Sequence, residues 1–138
     1  MVLRIELKPG ERLFIGTSVL KNGGNRTHLG VEGDLPILRD RDVIDESTCD
    51  TPIKRLYASI QKAYLSGLKL EAQAGYALNL AGACKIGELS SDFAEELGRL
   101  ASTDGFRALR LLRPFLPLDS FPKVDRSDAP KLNDRKKM

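Results

Sequence analysis

Few residues in this chain of 138 are of types and spacings that could do chemistry. The only histidine, His28, has no Cys or Asp at a telling distance along the chain, and it reads as a structural or solvent-facing side chain rather than a catalytic one. Cys49 and Cys84 have no Cys or His at metal-ligand spacing beside them. That pattern predicts free thiols in a reducing compartment and no metal site. A phosphate-cradling P-loop, a GxGxxG fingerprint, an HExxH pair and a CxxC pair are all missing, so an enzyme reading lacks nucleophile, base and cofactor, and none of these is expected.

Three basic features remain. Arg39-Asp40-Arg41-Asp42 would set two arginines on one side of a strand, where they could grip a phosphate or a guanine edge bidentately. The plainer reading pairs each arginine with a neighbouring aspartate on a solvated edge. Arg107, Arg110 and Arg113 recur every three residues beside an apolar helical face, a spacing that more often snorkels over a core or pairs with acids than binds RNA. Lys54, Arg55 and Lys62 read as the solvated side of a helix.

The charge balance is basic only at one end. Residues 117–138 carry six Lys/Arg against four Asp, while the other 116 residues have 16 basic and 15 acidic groups. A nearly neutral body with a mildly basic tail lacks the stripe of charge that a phosphate-driven binder shows over its folded surface. Aromatic residues at 6% with no Trp leave little for base stacking. No apolar run approaches the roughly 20 residues that span a bilayer, and Met1-Val2-Leu3-Arg4-Ile5-Glu6 has no signal-peptide apolar region, so a cytoplasmic protein with no membrane association is expected.

The elements that would position these residues divide in two. Up to about residue 48 the chain reads as short strands. In Leu3-Arg4-Ile5-Glu6-Leu7-Lys8 apolar and charged residues alternate, so Leu3, Ile5 and Leu7 face a core and Arg4, Glu6 and Lys8 face outward. Pro9-Gly10 and the following Arg12-Leu13-Phe14-Ile15 predict a hairpin over Leu3–Gly16. Val19-Leu20-Lys21, Arg26 to Glu32 and Ile37-Leu38 supply three more strands, giving a small antiparallel five-stranded sheet or open barrel.

From Thr51 the period becomes helical. Thr51 as N-cap and Pro52 at the first position open a helix with Ile53, Leu56, Tyr57, Ile60 and Tyr64 on one face. After Ser66-Gly67 an Ala-rich helix runs from Leu68 to about Cys84, and its Gly75 and Gly82 predict close contact with another helix. Ser90 or Ser91 opens a third helix, and Thr103 or Asp104 a fourth that ends at Pro114 and Pro117. The fold class is therefore α+β: a β-rich half over 1–48, a helical half of three to four helices over 49–116 (about 51–116 for the helices themselves), and a flexible charged tail over 117–138.

The string Val2-Leu3-Arg4-Ile5-Glu6-Leu7-Lys8-Pro9-Gly10-Glu11-Arg12-Leu13-Phe14-Ile15-Gly16, followed by Pro36-Ile37-Leu38-Arg39 and Thr51-Pro52-Ile53-Lys54-Arg55-Leu56-Tyr57, resembles the FlbT family of bacterial flagellar regulators. That resemblance implies a non-enzymatic repressor that associates with the 5′ untranslated region of flagellin mRNA and promotes its decay, with a functional link to the regulator FlaF. A second, weaker resemblance joins Gly10-Glu11-Arg12-Leu13-Phe14-Ile15-Gly16 and Arg41-Asp42-Val43-Ile44 to the carbon storage regulator family of small dimeric β proteins that bind mRNA leaders. In that family the first strand and the arginine-bearing last strand form the RNA surface, which here implies Arg4, Lys8, Arg39 and Arg41 as RNA-binding residues and a homodimer. The alternative is an adaptor or chaperone-like factor whose helices bind FlaF, flagellin or another flagellar protein and affect mRNA indirectly.

Overall fold

The alternation of Leu3 to Lys8 does produce a strand, but its partner is not the next segment along the chain. In a computed structural model that describes residues 2–67 and 76–121, β1 (Val2–Leu7) pairs antiparallel with β4 (Thr27–Glu32), with Arg4 opposite Gly30 and Glu6 opposite His28. β2 (Arg12–Ile15) instead lies between β3 (Ser18–Lys21) and β5 (Ile37–Arg39), antiparallel to both. The five strands thus form two small sheets, and the expected β1–β2 hairpin is corrected to a link between them.

The reason lies in the turn. Gly10 adopts φ 79°, which a residue without a side chain reaches freely. Glu11 closes the turn on itself, its amide donating to the Lys8 carbonyl at 3.0 Å and its carboxylate accepting from the Lys8 amide at 2.9 Å. Asn22 then clamps the turn from β3: its side-chain amide donates to the carbonyls of Leu7 (3.1 Å) and Lys8 (3.2 Å). The backbone hydrogen bonds that would continue a β1–β2 ladder are spent locally, and Gly10 and Glu11 pair with Asn22 instead.

The described residues separate into two compact units, one up to Val43 and one over Ile44–Phe121. In the first, Ile5 and Leu7 of β1 and Leu13 of β2 are buried together, with Leu29, Val31, Ile15 and Ile37 packed against them. Every one of these is an apolar residue on the alternation phase of its strand, so a single two-residue period assembles this core.

The second unit follows the helical periods. α1 (Pro52–Ser66) opens on Thr51, whose hydroxyl accepts from the Lys54 amide at 3.3 Å, and stops at Gly67, which takes φ 76° and donates back to the Ala63 carbonyl. It buries Ile53, Leu56, Tyr57, Ile60 and Ala63. The rest of the unit comprises α2 (Tyr76–Lys85), α3 (Ser91–Thr103) capped by Ser90, and α4 (Gly105–Leu112) capped by Asp104. The expected beginning of α2 at Leu68, and Gly75 with it, lie outside the described residues. Gly82 meets the expectation of close approach, because a Cβ there would come within 3.3 Å of Pro52.

Residues 117–121, placed in the flexible tail by their composition, are folded: a 3-10 turn over Leu118–Ser120 leads to Phe121, which is buried edge-on against Tyr57 with ring centroids 5.1 Å apart. An isolated aromatic after two prolines gives no period to read. Residues 122–138 lie outside the described residues.

Gly105, the first residue of α4, sits against Tyr64 of α1, and a Cβ there would lie 3.0 Å from Cδ1 and 3.1 Å from Cβ of that tyrosine. Alanine gains at most about 1 kcal/mol of helix preference over glycine. Overpacking against a Cβ, which cannot rotate away, costs roughly 1–3 kcal/mol. Gly105→Ala should therefore lower stability by about 1 kcal/mol in urea unfolding; a raised midpoint would refute this packing.

Candidate nucleic-acid interface

The residues that the sequence brings forward for RNA contact all belong to the first unit, and the alternation that builds its core also decides which of them face solvent. Arg4 lies on the polar face of β1 and is exposed. Lys8 follows the strand, half-buried at the turn that Glu11 and Asn22 hold. On the same polar face Glu6 is salt-bridged to Arg26 at 2.5 Å, and this hydrogen bond is the main cause of a Glu6 pKa below the usual carboxylate range. His28, opposite Glu6 on β4, is exposed.

Arg39 and Arg41 are not neighbours on one strand face. β5 ends at Arg39, and Asp40–Asp42 forms a 3-10 turn, so the expected strand over 39–42 is corrected to a strand end and a turn that rotates Arg41 away. Arg39 is opposite Leu13 in register and so shares the face of Leu13 and Ile37. Its Nη2 donates to the Glu6 carbonyl at 2.8 Å and lies 3.6 Å from the Glu11 carboxylate. Arg39 thus ties β5 to β1, whereas Arg41 is exposed.

The turn at Asp40 has a physical cause two strands away in sequence. Asp40 is fully buried, its Oδ2 accepting from the Arg12 amide at 3.0 Å and its Oδ1 from Arg12 Nη2 at 2.9 Å and Nε at 3.3 Å. Arg12 in turn lies over the Phe14 ring, 5.0 Å from its centroid. The arginines of the 39–42 motif do not take their carboxylates from beside them, as the solvated-edge reading has it: Arg39 reaches Glu11, and Asp40 is held by Arg12.

Glu11 and Asp40, the two buried carboxylates among the described residues, are structural anchors that no motif announces. A signal for them exists. Glu11 is two residues before Leu13 and Asp40 two residues after Leu38, so both are in phase with buried positions of their strands. A carboxylate on the inward phase of a strand needs a cation, and each has one.

Comparison with known families turns on the same segments. The family model described as flagellar protein FlbT matches residues 3–120. The chain belongs to the FlbT family. Among FlbT relatives, the probable flagellum biosynthesis repressor protein FlbT of Rhodopseudomonas palustris (strain TIE-1) is 38% identical over 120 residues, covering 84% of this chain and 93% of the relative. That of Caulobacter sp. (strain K31) is 32% identical over 73 residues, 53% of this chain and 56% of the relative. The flagellum biosynthesis repressor protein FlbT of Caulobacter vibrioides (strain ATCC 19089 / CIP 103742 / CB 15) is 30% identical over 71 residues, 51% of this chain and 50% of the relative. No solved structure matches the chain. The FlbT match takes in the strands, the Glu11 and Asp40 anchors and all four helices described above.

The helical unit holds the other basic row and both cysteines. Arg113 lies over the Phe121 ring at 4.1 Å and Arg110 over Phe106 at 5.7 Å, so two of the three arginines cover aromatic rings. Cys49 and Cys84 are free thiols. The Cys49 Sγ lies 3.5 Å from the carbonyl oxygens of both Asp45 and Lys54, either of which can accept its one S–H, and burial, with Glu46 adding, raises its pKa. Less thiolate means slower alkylation. In a Cys84→Ser background Cys49 should react with iodoacetamide at pH 7.5 more slowly than free cysteine; an equal or faster rate would contradict the half-buried, raised-pKa thiol. Among the described residues no group of three or more His, Cys, Asp and Glu gathers as a metal site would require, and no helix is long and apolar enough to cross a membrane.

Proposed function

We propose that this FlbT-family protein regulates flagellum synthesis after transcription, by binding the 5′ untranslated region of flagellin mRNA through its first unit and repressing translation or promoting decay of the message. The relatives' names, flagellum biosynthesis repressor, support the regulatory role. The observation that carries the RNA reading is the division of labour among the arginines. Arg12, Arg26 and Arg39 are held by Asp40, Glu6 and Glu11, while Arg4 and Arg41 are exposed, so these two, with Lys8, remain to bring positive charge to the RNA. Of the four RNA-binding residues implied by the sequence, Arg39 then acts by positioning: it fixes β5 against the carbonyl of β1, the strand that carries Arg4.

Three cations predict a modest, salt-sensitive affinity. Each cation brought against the backbone charge of single-stranded RNA contributes about 0.7 to the slope of log affinity against log salt. Mobility shift with a flagellin leader should therefore give a slope near 2 for the native chain, reduced by roughly 0.7 in each of Arg4→Ala, Lys8→Ala and Arg41→Ala. No shift at low salt would sink direct binding.

The second reading, a protein-binding adaptor for FlaF or flagellin, is favoured by a different observation. In the helical unit Leu78, Ile86, Phe115 and Leu118 are exposed, Leu118 to 90%. Purified FlaF or flagellin co-eluting with the protein in the absence of RNA would support it.

A further inference from the structure

The polar face of the β1–β4 ribbon contains a gap. His28, Gly30 and Glu32 alternate along β4 on one side, and Gly30 has only a hydrogen where its neighbours carry side chains. Across the ladder Arg4 stands opposite this gap and Glu6 stands opposite His28. A depression of about 540 Å³ opens there, lined by Arg4, Glu6, His28 and Gly30 together with Val2, Ile5 and Leu29. That volume falls in the ordinary range for a small-molecule site.

We propose that this depression seats one unpaired guanine base of the bound RNA, with Arg4 reading its O6 and N7 and Glu6 reading its N1 and N2 protons. The proposal rests on the RNA reading above and adds to it a base-specific contact that no phosphate contact supplies. Guanine is selected by donor and acceptor count. An arginine offers parallel donors and a carboxylate offers only acceptors. Guanine presents two acceptors on its Hoogsteen edge and donors at N1 and N2 on the adjoining edge. Adenine would turn its N1 acceptor toward the carboxylate and place an unpaired lone pair against it.

Two features prepare Glu6 for that role. Its Oε2 is fixed by Arg26, which orients the carboxylate without engaging Oε1. The same hydrogen bond favours the ionised, acceptor-only form at neutral pH. The Gly30 gap lets a flat base approach the backbone of β4, with the exposed His28 imidazole beside it to stack. Reading the Watson–Crick edge requires the base to be single-stranded.

The test uses the full chain and fluorescence anisotropy with labelled uridine heptamers whose central position is G, A, inosine, 7-deazaguanine or U. The native protein should bind the G heptamer about tenfold more tightly than the A heptamer, as expected for one bidentate base contact. Inosine, which lacks N2, and 7-deazaguanine, which lacks N7, should each lose part of that preference. Gly30→Val should fill the seat and abolish the preference. It should leave the melting temperature within a few degrees, since a β-branched residue suits a strand and the added Cβ meets only a Val2 methyl at 3.2 Å. Arg4→Lys, at an exposed position where folding is not at risk, should abolish the preference while keeping the salt slope. Equal affinity for all five heptamers, or a G preference that survives Gly30→Val or Arg4→Lys, would overturn the guanine seat while RNA binding stands. Absence of binding to every heptamer and to the flagellin leader at low salt would overturn the RNA reading and the seat together.

Discussion

Arg12→Ala should destabilise the first unit by about 3–5 kcal/mol, the cost of leaving a buried carboxylate without its cation. The asymmetry between the partners makes this direction the severe one. Asp40 is fully buried, while the Arg12 side chain keeps 39% of its exposure and can be resolvated when its partner is removed. Truncating the arginine strips the guanidinium and its two hydrogen bonds from Oδ1, whereas the bond from the residue-12 amide to Oδ2 is one that alanine retains. The double variant Arg12→Ala/Asp40→Asn should recover at least half of the loss, because a neutral amide keeps the backbone hydrogen bond without an uncompensated charge. Urea unfolding followed by circular dichroism reads both. A loss under 1 kcal/mol for Arg12→Ala, or no recovery in the double variant, would mean that the pair does not hold the turn at Asp40.

The same network governs how RNA-binding variants must be read. Arg39→Ala removes the donor to the Glu6 carbonyl and the cation 3.6 Å from buried Glu11, so it perturbs the base of β1 as well as any RNA contact. A lowered affinity in that variant would carry no information about phosphate binding unless its unfolding curve were unchanged. Arg4, Lys8 and Arg41 are cleaner probes, because no side-chain ion pair among the described residues engages them.

How much of this was legible in the sequence follows from how local each determinant is. Thr51, Pro52, Ser90 and Asp104 sit where the caps were expected, and Ile53, Leu56, Tyr57 and Ile60 are buried as their spacing requires, because a helix is specified within one or two turns. The α+β class and the five strands were legible for the same reason. Strand pairing is not local. The partner of β1 is chosen by Asn22 and Glu11 closing the Pro9-Gly10 turn, and nothing in the turn sequence distinguishes that closure from a hairpin. For the candidate site, alternation alone places Arg4 outward, as the strand shows. Arg39 follows Ile37 by two and shares its face, so its phase points to the core while its charge points to solvent, and the phase wins. Gly30 and His28 carry no motif, and only the register that sets them opposite Arg4 and Glu6 brings them together.

The second large effect is expected in the helical unit. Tyr57 is 1% exposed on the inner face of α1 and meets Phe121 at an interplanar angle of 80°, with Arg113 over the opposite ring. Tyr57→Ala removes an aromatic side chain from a filled interior and should cost about 3–5 kcal/mol. Phe121→Ala, at the far end of the unit, should cost nearly as much despite lying beyond the last helix, since only 7% of that residue is exposed. The two losses should fall short of additivity by about 0.5–1.5 kcal/mol in the double variant, the coupling expected for an edge-to-face aromatic pair. Tyr57→Phe keeps the ring and should lose far less than the alanine change. Additive losses within 0.3 kcal/mol, or a Phe121→Ala protein as stable as the native one, would show that the segment after Pro117 contributes nothing to the core, and would return it to the unstructured tail that its composition suggests.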